Sequence, residues 1–230
     1  MNKLEIYPVN IKNHKCDKKL KHIPTELPKP PFLLIIQAPV RSGKSCLIMN
    51  LIYRWYKKVF DEIIFVSPTV KNDKTLKVLY KDDDIIKIDE DLDNGAIDDI
   101  IDNLIEEQND LDDDEREHKL LVLDDCLGFL KQKLAYLCSR FRHYKISICI
   151  SSQSFRSIPL ICRVNSSAYI LFRTHNKKEL SKLYEEFSGN FPNFLELYEK
   201  ATKEKYSFLY LDNENIIARK NFNEILYKKD

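Results

Sequence analysis

A short apolar run, Phe32-Leu33-Leu34-Ile35-Ile36, leads through Gln37 into Ala38-Pro39-Val40-Arg41-Ser42-Gly43-Lys44-Ser45-Cys46. Leu47, Ile48, Leu51, Ile52 and Trp55 then recur at helical spacing, which predicts a helix from Ser45 to about Lys58. An unbroken apolar run reads as a strand buried on both faces. A strand, a tight loop and Gly-Lys-Ser opening a helix form a phosphate grip, because backbone N–H groups and the helix N-terminus all point at one anion. In that pattern Lys44 reaches the β- and γ-phosphates, Ser45 ligates Mg²⁺, and Ala38 through Cys46 surround the nucleotide. Two residues depart from the strict motif. Ala38 stands where glycine is usual, which requires a negative φ, and Arg41 places a bulky cation inside the loop.

The rest of the chain alternates in the same manner. Ile63–Val66, Leu120–Leu123, Ile146–Ile150 and Ala168–Phe172 read as further buried strands. Helical spacing falls near 96–107, 130–142, 177–187 and 191–200. This order predicts an α/β fold of the P-loop type, with a mainly parallel sheet covered on both faces. Tyr206–Leu211 and Ile216–Arg219, flanking Asp212-Asn213-Glu214-Asn215, read as a C-terminal β-hairpin. Residues 1–31 read as an N-terminal extension with one candidate strand, Leu4–Val9, closed by Pro24, Pro28, Pro30 and Pro31. Residues 32–175 are the expected core, and 176–230 a helical and hairpin extension of the same domain.

Charge is unevenly spread. The 230 residues carry a net charge of +1, yet residues 82–117 hold 18 acids against Lys87 and Arg116. The remainder has 35 basic and 18 acidic residues, a surplus of 17. Such a body suits a polyanion or mere solubility, while the acidic stretch reads as a solvated insert carrying one helix. The six cysteines lack metal-ligand spacing and suit a reducing compartment. No signal-peptide core or membrane-length apolar run is present in the sequence, so a soluble intracellular protein is expected.

Three further features carry chemistry. Asp124 and Asp125 follow the strand Leu120–Leu123 at its C-terminal end, the edge that lines ligand crevices in open α/β sheets. Asp124 is placed to hold Mg²⁺ and Asp125 to orient and deprotonate water, although a helix cap also fits the pair. Ser151-Ser152-Gln153 ends the next strand, where Gln153 can sense a γ-phosphate. The basic residues Arg140, Arg142, His143, Arg156, Arg163 and Arg173 offer an arginine for a neighbouring subunit's site, with Arg140 and Arg142 the candidates. Arg156, Lys71, Lys74 and Lys77 suit contact with a nucleic-acid backbone.

Leu27-Pro28-Lys29-Pro30-Pro31-Phe32, Leu121-Val122-Leu123-Asp124-Asp125, Ser139 to Ile148 and Ser151 to Pro159 together resemble the genome-packaging ATPases of nucleocytoplasmic large DNA viruses. That is the poxvirus-type branch of the FtsK–HerA superfamily, and the resemblance spans about residues 27–225. It implies a RecA-like core that assembles into a hexameric or pentameric ring. It also implies ATP and Mg²⁺ as cofactors, double-stranded DNA as substrate and capsid or portal-vertex proteins as partners. The expected place is the assembly site in the host cytoplasm, or the virion. By the same resemblance Lys44 and Ser45 bind nucleotide and metal, Asp124 is the Walker B acid, Asp125 the catalytic acid and Gln153 the sensor. Arg142 becomes the arginine-finger candidate. Competing readings are a terminase-like or helicase ATPase, suggested by Ile64 to Thr69, and a nucleotide-binding scaffold with weakened catalysis, suggested by Ala38 and Arg41.

Overall fold

The computed structural model describes residues 18–68, 73–88, 95–126 and 132–229. The strand expected at Leu4–Val9, together with Cys16, Thr69 and Lys71, lies outside the described residues. The strands are β1 Leu33–Gln37, β2 Glu62–Val66, β3 Ile85–Ile88, β4 Lys119–Asp124, β5 Ile146–Ser152, β6 Ala168–Phe172, β7 Phe208–Asp212, β8 Ile217–Lys220 and β9 Glu224–Lys228. The helices are α1 Lys44–Asn50, α2 Ala96–Asn109, α3 Gln132–Arg140, α4 Leu160–Val164, α5 Lys177–Phe187 and α6 Phe194–Ala201. Helix α1 continues as a π-helical stretch, Leu51–Tyr56.

Among the described residues the nine strands form one sheet in the order β3-β2-β4-β5-β1-β6-β7-β8-β9. Strands β3 to β6 in that order are parallel, and β7, β8 and β9 add antiparallel to β6. The apolar runs are continuous because alternate residues serve two cores. Leu33, Ile35, Leu121, Leu123, Ile148 and Ile150 pack with α2, α3, α5 and α6 on one face. Leu34, Ile36, Leu120, Val122 and Cys149 pack with α1, its π-helical extension, Ile23 and Leu27 on the other. Period-2 side-chain alternation therefore splits one apolar strand between two layers.

Strands β3 and β9 and the short helix α4 are absent from the sequence reading. The acidic stretch contains a strand as well as the expected helix: β3 adds parallel to the edge of β2. β3 is a four-residue run, Ile85-Ile86-Lys87-Ile88, set among acids, and only its Ile85 is buried. After the hairpin a third strand, β9, pairs with β8 across a register shift at Ala218/Arg219, and its residues are exposed or half-buried. Helix α2 docks through Ile97, Ile101 and Leu104. Its Glu107 pairs with the buried Lys119 of β4, which also meets Glu62 at 2.7 Å.

Candidate active site

The phosphate loop leaves β1, the middle strand of the nine-stranded sheet, flanked by β5 and β6. The Ala38 N–H still donates to the Ser152 carbonyl of β5, at 2.9 Å. Ala38 is fully buried, and positive φ in this loop falls on Arg41 (63°) and Gly43 (97°) instead. Glycine is thus not required at position 38. It is required at 43, where φ is left-handed and an added Cβ would lie 3.2 Å from the Tyr206 ring.

Register brings the other groups to the same edge. Asp124 at the end of β4 pairs with Ser151 of β5, and Gln37 of β1 pairs with Ser152. The Asp124 carboxylate is 2% exposed and lies 3.0 Å from Lys44 Nζ. It accepts hydrogen bonds from Ser151 Oγ and, at 3.3 Å, from Ser67 Oγ of the β2 end. Asp125 turns the chain with φ 55°, a conformation aspartate tolerates better than most residues. Its carboxylate also pairs with Lys44 and accepts from Gln153 Nε2 at 3.5 Å. The Lys44 ammonium is therefore clasped between both acids. One ammonium against two carboxylates leaves the three side chains with a formal charge of −1, gathered in a cleft where Lys44 offsets only part of the acids' repulsion.

Ser45 Oγ donates to Asp73 at 2.7 Å. Burial pushes the Asp73 carboxyl up, but hydrogen bonds from Ser45 and from the Thr75 and Leu76 backbone outweigh it and leave the group lowered. Ser42 Oγ is buried with no hydrogen-bond partner, an orphan donor inside the loop. Lys44, Ser45, Asp73, Asp124, Asp125 and Gln153 line a cleft of about 1050 Å³, which also takes in Trp55, Phe172, Lys205, Tyr206 and Phe208. No cluster of three or more His, Cys, Asp or Glu side chains able to cage a metal occurs among the described residues. That suits Mg²⁺, which usually takes one or two protein oxygens and completes its shell with phosphate and water. The Ser45 hydroxyl and the Asp124 carboxylate are suitable oxygens in this cleft.

The structure brings together Ala38 to Cys46, Asp124, Asp125 and Gln153, and leaves Arg142 outside their cleft. Arg142, just past α3, pairs with Glu214 in the β7–β8 turn at 3.0 Å, both side chains well over half exposed. Arg140 stacks on Tyr136, 4.2 Å from the ring centroid. Arg163, one of the basic residues offered for a neighbouring subunit's site, is buried instead: its guanidinium pairs with Glu186 and donates to the Ile158 carbonyl at 3.2 Å.

Sequence reasoning missed Asp73, Tyr206 and Glu179. Asn176 caps α5, and Glu179 three residues on resembles the second half of a capping box. Its carboxylate instead crosses to the loop after Gln153, accepting from Ser154 Oγ at 2.8 Å and from the Phe155 N–H at 2.9 Å.

Among solved structures, this chain is similar to the genome packaging NTPase B204 from Sulfolobus turreted icosahedral virus 2 in complex with ATP-gammaS. The TM-score is 0.63 at 17% identity, over 83% of this chain and 96% of that one. The same protein in complex with AMP gives 0.65 at 15% identity, over 88% and 100%. EssC (ATPases 2 and 3) from Geobacillus thermodenitrificans gives 0.58 at 12% identity, over 80% of this chain and 38% of that one. At such identities the likeness is one of fold. Among curated proteins, uncharacterized protein 075L of Invertebrate iridescent virus 6 is 30% identical over 100 residues, 41% of this chain and 39% of that protein. The match thus spans well under half of that relative. The family model described as Poxvirus A32 protein matches residues 19–225, nearly the whole chain, and the chain belongs to that family.

Proposed function

We propose that this chain is the ATP-hydrolysing subunit of a motor that drives double-stranded DNA into a viral capsid. The carrying observation is Lys44 clasped by Asp124 and Asp125 at a phosphate loop, with Gln153 on Asp125. When a nucleotide's phosphates enter, they compete with the two acids for the Lys44 ammonium. Release of Lys44 would leave Asp125 free to take a proton from water. The Asp124 carboxylate and the Ser45 hydroxyl, which now donates to Asp73, would hold the metal, and the unpartnered Ser42 hydroxyl would donate to a phosphate oxygen. Bound Mg²⁺ supplies neutralisation of the phosphate charge. Gln153 follows the state of Asp125 and passes it to the chain segment beyond β5.

Family membership and the likeness to packaging NTPases support DNA as the substrate. The basic surplus outside residues 82–117 supports it independently. Arg156, Lys178 and Lys182 line a second cleft of about 460 Å³ beyond the sensor strand, suited to phosphodiester groups. In a homo-oligomeric ring, of six or five subunits, Arg142 leaves Glu214 to meet a neighbour's nucleotide, and capsid or portal-vertex proteins anchor the ring. Work would take place at the assembly site in the host cytoplasm or in the virion. No helix among the described residues is long and apolar enough to cross a membrane.

The test is ATP hydrolysis by the purified chain. Wild type is expected to turn over, Lys44→Ala to lose turnover, and Arg142→Ala to lose turnover while still binding ATP. No hydrolysis by wild type, with or without long duplex DNA, would overturn the reading. Unchanged turnover in Arg142→Ala would remove that residue alone.

A further inference from the structure

The main cleft is lined by two chemically distinct sets of groups. Lys44, Asp124, Asp125 and Gln153 are charged or polar, and Trp55, Phe172, Tyr206 and Phe208 are aromatic. A nucleoside triphosphate has the same two characters, with anionic phosphates suited to the first set and a planar base suited to the second.

Tyr206 is the ring presented there. It is 58% exposed, whereas Phe172 and Phe208 are almost fully buried. Its φ is 68°, a left-handed conformation uncommon for a bulky residue and one that persists only where the surroundings impose it. The surroundings do so. The Ser207 N–H and Oγ both donate to the Glu204 carbonyl, at 3.2 and 2.7 Å. The Glu204 carboxylate is tied to Lys220 of β8 at 2.6 Å, and Phe208 enters β7 opposite Phe172 of β6. The backbone on either side of Tyr206 is thus held by the sheet, and its ring abuts Gly43 of the phosphate loop. Lys205 Nζ lies over the ring, 4.8 Å from its centroid.

We propose that Tyr206 is the stacking platform for the nucleobase, with Trp55 lining the same cleft. This rests on the reading of the cleft as a nucleoside triphosphate site. Stacking serves any purine or pyrimidine, because each has a π face.

Calorimetric titration of the full chain with ATP and with inorganic tripolyphosphate separates base contacts from phosphate contacts. Tyr206→Ala is expected to weaken ATP binding by about tenfold, in the range of losing one base–aromatic stack, and to leave tripolyphosphate binding within about twofold. Tyr206→Phe should restore ATP affinity. Trp55 is the only tryptophan in the chain, and its fluorescence should respond to ATP and not to tripolyphosphate. Equal ATP affinity in wild type and Tyr206→Ala would overturn the assignment. So would a parallel loss of both ligands, which would mean that the ring merely props up the phosphate loop. A wild-type chain that binds neither ligand would remove the nucleotide reading itself.

Discussion

Replacing Glu179 by alanine removes the tie between helix α5 and the loop that follows Gln153. Glu179 is 8% exposed and Phe155 is fully buried, so the Phe155 N–H has no ready access to water once its acceptor is gone. A hydrogen bond to a charged group contributes about 1.5–3 kcal/mol, and two such bonds set an upper bound near 6 kcal/mol. Ser154 is only half-buried and can rehydrate, which discounts its share. The expected loss is therefore about 2–4 kcal/mol, dominated by the orphaned Phe155 N–H. For a chain of this size that lowers the melting temperature by roughly 4–16 °C. Glu179→Gln keeps one neutral acceptor and should lose about half as much. Urea unfolding followed by circular dichroism gives the difference, and ATP turnover of the folded variant reports whether Gln153 has been loosened. A Glu179→Ala protein within about 0.5 kcal/mol of wild type would refute the reasoning, since surface changes commonly fall in that range.

Gly43→Ala forces an L side chain into φ 97° and against Tyr206. It should cost about 1–2 kcal/mol in urea unfolding and weaken ATP binding, and wild-type values for both would contradict the geometry. Asp73 has a lowered folded pKa, so its contribution is present above the unfolded value of about 4 and fades as pH falls through the folded value. The stability gap between wild type and Asp73→Asn should therefore be full at pH 6 and close below about pH 4, and a gap independent of pH would contradict the Ser45–Asp73 bond. Burial, reinforced by Asp124 and Asp125, pushes the Cys126 thiol up to about 12. At pH 8 iodoacetamide should label the exposed Cys46 and spare Cys126, as peptide mass spectrometry would show; comparable labelling would mean that the cleft floor is open.

Much of the site is legible in sequence because each part sits at the end of an apolar run. The runs ending at Gln37, Asp124 and Ser152 are buried on both faces, and parallel pairing must align their ends. What sequence cannot supply is the partner across space. Arg163 and Arg156 look alike in the chain, yet one is buried against Glu186 and the other is exposed. Glu179 lies at a helix N-terminus, where a capping role is expected, and only the packing of α5 on the sheet shows its carboxylate reaching Ser154 and Phe155. Tyr206 reads as the first residue of an alternating strand, but its left-handed φ delays the strand to Phe208 and turns its ring to the phosphate loop. Strands β3 and β9 are edge strands that escape for different reasons: β3 is a short apolar run inside a strongly acidic stretch, and β9 has no buried residue to set a pattern.

Hydrolysis at Lys44, Asp124 and Asp125 is proposed to move double-stranded DNA, and displacement of a third strand from a triplex on linear duplex DNA measures that movement directly. ATP-dependent displacement is expected from wild type and none from Lys44→Ala. Steady ATP hydrolysis by wild type with no displacement, under conditions where the duplex is bound, would contradict it.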